Sequence, residues 1–162
     1  MNAGERELEP WEMKWPEDDL NEEDEIGGLG ESSRVCEDPD LPAPKLSYDL
    51  EERTAKFGEA VILFLKKIHT GPHTNRLIDQ LTGYNTSVGA NYCEADDAVS
   101  RKEFALKINT CRKEARESKY FIRMLACAVP EVIVDARSLW LEAHALHLIF
   151  AKIRRSTLKS QG

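Results

Sequence analysis

The chain lacks any apolar run approaching the ~18 residues a membrane crossing requires. Its first residues, MNAGERELEP, show no apolar stretch after the start, so no secretory leader is expected either. Its four cysteines, Cys36, Cys93, Cys111 and Cys127, form no CxxC pair and no metal-ligand spacing, which argues against a zinc module and against a disulfide framework. Three of them, Cys93, Cys111 and Cys127, sit within helical patterns beside apolar neighbours, where a thiol packs as a small hydrophobe. A reducing cytoplasm is the expected location. The motifs GxSxG, the P-loop and GxGxxG are absent. A di-iron bundle needs Glu-x-x-His on two helices, and there is none. Glu142, His144 and His147 come nearest to a metal cluster, but they lie on one helix. No enzyme, cofactor or small-molecule substrate is expected.

What is present is divided. Residues 1–46 carry 15 acidic and 4 basic side chains, a net of −11, while residues 47–162 carry 14 acidic and 18 basic, a net of +4. The first segment, with EDDLNEEDEIGGLGESS and EDPDLPAPK, is punctuated by Gly and Pro and has no hydrophobic period. It cannot bury enough apolar surface to offset its ordering entropy, so a disordered acidic tail is expected. Trp11 and Trp15, four apart, are its exception: they are either incidental or one face of a short helix that docks on a partner or on the body.

From Ser47 a helical period sets in. Leu50, Phe57, Val61, Phe64 and Ile68 mark a first helix over about residues 49–69, stopped by TGPH. Leu77, Leu81, Tyr84, Val88 and Ala95 mark a second over about 74–96. Ser100 with Glu103 forms a capping box that starts a third. Its seam runs through Phe104, Ile108, Cys111, Ala115, Ser118, Ile122 and Leu125 and ends before Pro130. Leu139, Ala143, Leu146, Phe150 and Ile153 mark a fourth over about 137–158. Similar lengths and short connections predict an all-α, antiparallel up-down four-helix bundle over residues 47–162. Tyr120, Phe121 and Trp140 lie outside these seams and read as a second, exposed apolar set suited to a subunit contact.

Two polar patterns remain. Counting levels from Pro72 and Ala98 as turns places Arg53 level with Asn91 and within reach of Glu94, and Gln80 close to Glu114. These pairings predict two structural polar layers that hold the bundle in register. On the third helix Lys102, Asn109, Arg112, Arg116, Lys119 and Arg123 recur at spacings of 7, 3, 4, 3 and 4, with Lys113 beside them. This stripe is either a solvated helical face or a face that binds a polyanion such as RNA or DNA.

Arg53-Thr54 with Phe57, Gln80-Leu81, Ser87 through Asn91 to Glu94-Ala95, Ser100 with Phe104, and Glu114 follow one another in an order that resembles a bacterial four-helix-bundle family. That family includes proteins encoded in intervening sequences of 23S ribosomal RNA genes. The resemblance spans about residues 50–159 and leaves the acidic extension outside it. It implies a short antiparallel four-helix protomer assembled as a ring-like homopentamer, with no assigned biochemical role for most members. A related branch, the accessory proteins of diversity-generating retroelements, implies binding to nucleic acid and to a nucleic-acid-bound protein. Two functional classes stay open: a non-catalytic nucleic-acid or ribonucleoprotein accessory, and a protein-only oligomeric scaffold.

Overall fold

A computed structural model describes residues 49–159 and Trp15. The rest of the acidic extension, Trp11 included, lies outside the described residues, as does the tail expected there. Among the described residues four helices follow in order: α1 (Leu50–Leu65), α2 (Asn75–Asp96), α3 (Arg101–Ala128) and α4 (Ile133–Lys159). A single 3-10 turn, Pro130–Val132, lies between α3 and α4. Consecutive helices pack on each other, and α1 also meets α4, which closes a four-helix bundle. The all-α expectation holds.

Local chemistry sets the ends. Asp49 caps α1, its side chain accepting the Glu52 N–H at 3.0 Å, and Glu51 and Glu52 in the first turn suit the positive end of the helix. The helix closes four residues earlier than its period predicts. After Leu65 the chain tightens: the N–H groups of Lys67 and Ile68 donate to the carbonyls three residues back, of Phe64 and Leu65. Ile68 still reaches the core. Thr74 then ties the connection together by donating its hydroxyl to the His69 carbonyl at 2.8 Å. Ser100 caps α3 as expected, accepting the Glu103 N–H at 3.1 Å, while Glu103 Oε2 accepts the Val99 N–H at 3.2 Å.

The fourth helix starts at Ile133 rather than near residue 137. Pro130 opens a first turn, where its missing N–H is no loss, so the chain re-enters helix almost at once after α3. As a result α3 and α4 form a long pair, about 42 and 40 Å at 1.5 Å per residue, against which the 16-residue α1 is short.

The core follows the sequence seams. Phe57, Val61, Phe64, Leu81, Val88, Ile108, Cys111, Ala115, Ile122, Leu125, Ala143, Leu146 and Phe150 are all buried. Ser118 occupies a seam position without cost because its hydroxyl donates to the Glu114 carbonyl at 2.9 Å. Burial pushes the Cys111 thiol up to about 12, so it is protonated and serves as packing. The second helix buries a polar group that the seams omit: Asn85, whose amide donates to the Gly58 carbonyl at 3.3 Å across the α1–α2 contact.

Candidate functional site

The polar layers take different partners from those expected by counting levels. Arg53 meets Glu142 on α4, with Nε donating to Oε1 at 2.6 Å and Nη2 to Oε2 at 3.0 Å. Glu94 is exposed at the far end of α2 and pairs with Lys107. The half-buried Asn91 donates its amide to the Ser87 carbonyl within its own helix at 2.9 Å. The register contact therefore joins α1 to α4 rather than α1 to α2. Gln80 accepts the Tyr84 hydroxyl at 3.3 Å. Glu114 is half-buried; burial first, and the neighbouring Glu117 second, raise its carboxyl above the ordinary range.

Glu142, His144 and His147, the nearest approach to a metal cluster, are drawn into three separate contacts. Glu142 holds Arg53, His144 Nδ1 lies 3.0 Å from Lys119 Nζ, and His147 Nδ1 lies 3.1 Å from the Arg112 carbonyl oxygen. Among the described residues no group of three or more His, Cys, Asp or Glu is placed to hold a metal ion.

The cationic stripe is divided by the fold. Lys113, Arg116, Lys119 and Arg123 line one open groove of about 600 Å³ on α3, together with Glu117, Tyr120 and the α4 residue Trp140. These side chains sit at successive turns of one helix face, so four cations meet a single carboxylate along about 15 Å. Lys102 and Arg112 do not line it. Lys102 is exposed near the start of α3, and Arg112 folds onto its neighbour Asn109, with Nε and Nη2 each 3.3 Å from Oδ1.

Two residues depart from their expected exposure. Lys119 is not a solvated cation: it is buried, with Nζ 4.7 Å from the Trp140 ring centroid and hydrogen-bonded to His144. Trp140 is not an exposed apolar: it is 1% accessible, stacked on His144 at 5.1 Å and 11°, with the Trp15 ring 6.1 Å away at 50°. Of the second apolar set only Tyr120 is open to solvent, while Phe121 is half-buried between Tyr84 and Tyr120. Arg123 lies over the Trp15 ring, 5.6 Å from its centroid. The groove thus has a built floor of Trp140, His144 and Lys119, and a rim of the cations Lys113, Arg116 and Arg123 with one exposed phenol, Tyr120. Such a surface suits a ligand with repeated anions and flat rings. The sequence signal for the floor is the spacing of Trp140, His144 and His147, four and three apart on the α4 face that turns to α3.

No protein-family model matches the sequence, and no curated protein matches it. A crystal structure from Bacteroides thetaiotaomicron, described as a protein of unknown function from the S23 ribosomal protein family, is similar at a TM-score of 0.57 and 22% identity. The match covers 65% of this chain and 97% of that one. At that identity the likeness shows the fold. No helix among the described residues is long and apolar enough to cross a membrane.

Proposed function

We propose that this chain is a non-catalytic, oligomeric four-helix-bundle protein that binds nucleic acid along the α3 groove. The observation that carries the reading is the convergence of Lys113, Arg116, Lys119 and Arg123 with Tyr120 and Trp140 in one groove. Phosphates are held by Lys and Arg in a salt-dependent way, and the exposed Tyr120 ring adds sequence-tolerant stacking, so the combination fits a single strand better than it fits a small metabolite. The sequence resemblance is what suggests kinship with the proteins of 23S ribosomal RNA intervening sequences, and with it a homopentamer, while the similar S23-family structure supports the fold that such a protomer needs. Free Cys93, Cys111 and Cys127 suit a reducing cytoplasm.

The second reading, a protein-only scaffold, draws on the exposed apolar side chains Leu63, Leu106, Val134 and Leu141. Fluorescence anisotropy of a labelled single-stranded RNA separates the two. Reversing charge at Lys113 and Arg116 together (K113E/R116E) is expected to weaken binding by about tenfold or more at low salt. Reversal at the exposed Arg76 on α2 (R76E) is expected to leave binding within about twofold, since that residue lies off the groove. Equal losses in the two variants, or no binding by the wild type and its variants alike, favour the scaffold.

A further inference from the structure

Trp15 is the one described residue ahead of position 49, and it is 3% exposed. Its ring lies against Trp140 and under Arg123, two of the residues that line the groove. Trp15 is therefore seated at the groove itself. Immediately beyond Pro16 come Glu17, Asp18, Asp19, Glu22, Glu23, Asp24 and Glu25, seven carboxylates in nine residues with no cation among them. Nine extended residues span up to about 30 Å, twice the ~15 Å between Lys113 and Arg123 along α3. A tether fixed at Trp15 holds those carboxylates near the cations at an effective concentration of order millimolar.

We infer that the acidic segment of residues 17–25, anchored by Trp15, is the resident occupant of the α3 groove and competes in cis with nucleic acid. This rests on the reading of the groove as a nucleic-acid interface. The extension presents the two chemistries the groove selects: a flat ring against Trp140 and a run of anions beside Lys113, Arg116 and Arg123. It thus imitates a strand. Each exposed ion pair is weak and screened by salt, so the occupancy comes from tethering and number rather than from any single contact. A ligand with a longer run of phosphates displaces the segment, whereas a short one does not, which makes the extension a threshold on ligand length.

The test uses the full chain and two readouts. The first is zero-length carbodiimide coupling at low salt, mapped by mass spectrometry. It is expected to join Lys113 to carboxylates of residues 17–25, and the yield is expected to fall at high salt and in Trp15→Ala. The second is anisotropy of a labelled oligouridine. A chain whose seven carboxylates are replaced by their amides (E17Q, D18N, D19N, E22Q, E23Q, D24N and E25Q) keeps Trp15 and the bundle intact. It is expected to bind about tenfold tighter than wild type at low salt, with the gain shrinking as salt rises. Absence of the cross-link, or unchanged binding by the amide chain while K113E/R116E abolishes it, overturns the inference. A Trp15-dependent cross-link without RNA binding by any variant overturns the competition and the nucleic-acid reading, and leaves only the docking of the segment standing.

Discussion

Arg53 on α1 and Glu142 on α4 meet through two hydrogen bonds, at 2.6 and 3.0 Å, with each side chain about one-third exposed. This fork-to-fork pair is the charged link between the first helix and the last, 89 residues apart in sequence. A bidentate Arg–carboxylate pair is stronger than an ordinary surface ion pair, though solvent screening at this exposure limits it. Replacing Glu142 by Ala is expected to destabilise the fold by about 1 kcal/mol. Replacing the exposed Glu94 by Ala is expected to stay within about 0.5 kcal/mol. Urea melts of the two variants check the ranking, and a larger loss for Glu94 contradicts it.

Stability should depend on pH through Glu114. Its carboxyl is raised in the folded state by burial and by Glu117, so the folded chain holds that proton more tightly than the unfolded one. The contribution of this group to stability therefore falls as pH rises from the unfolded carboxylate value, about 4.3, through the raised folded value. Glu114→Gln removes the cost of the ionised form. Its Tm is expected to exceed that of wild type at neutral pH and to converge with it below pH 4; a lower Tm at neutral pH contradicts the burial argument.

Gly83 lies within α2, and a Cβ added there meets nothing within 4 Å. Glycine in a helix interior loses more backbone entropy than alanine, so Gly83→Ala is expected to stabilise the fold by about 0.5–1 kcal/mol. At Gly89 an added Cβ meets the Thr54 hydroxyl at 3.5 Å, an ordinary contact that brings the α1–α2 interface into play. A smaller gain is expected there. Thermal melts of both single variants check the order.

Val134 and Leu141 on α4 are 74% and 50% exposed and lie seven residues apart, two helical turns along one face. If that face joins copies of the chain, light scattering should give several times the mass of one protomer at micromolar concentration. Leu141→Glu should then lower the mass toward that of one chain. A monomeric wild type contradicts the assembly.

Much of this architecture is legible in the sequence because a buried stripe must repeat at the helical period. Ile108, Cys111, Ala115, Ser118, Ile122 and Leu125 read as one seam and are one seam. What escapes the sequence is contact between elements that are not neighbours in the chain. Counting levels from a turn pairs only consecutive helices, so it offers Arg53 a partner on α2 and cannot see Glu142. The start of α4 is hidden for a local reason: the β-branched run Val132, Ile133, Val134 behind Pro130 reads as a connection. Lys119 shows the same limit at the site. Its place in the stripe matches that of Arg116 and Arg123, and only the packing of Trp140 and His144 turns it inward. The groove's cations were legible one by one, and its aromatic floor was not.

The salt dependence of RNA binding by the full chain with the seven carboxylates of residues 17–25 replaced by amides, which leaves the groove cations without that competitor, tests the central claim most directly. Lys113 and Arg116, both exposed, with Arg123 over Trp15 and Lys119 behind them, correspond to about three to four phosphate contacts per protomer. For a single strand, log Kobs should fall with log salt at a slope of about −2 to −3, and K113E/R116E should flatten it by more than one unit. A slope near zero, or a slope unchanged by that double reversal, would contradict binding in the α3 groove.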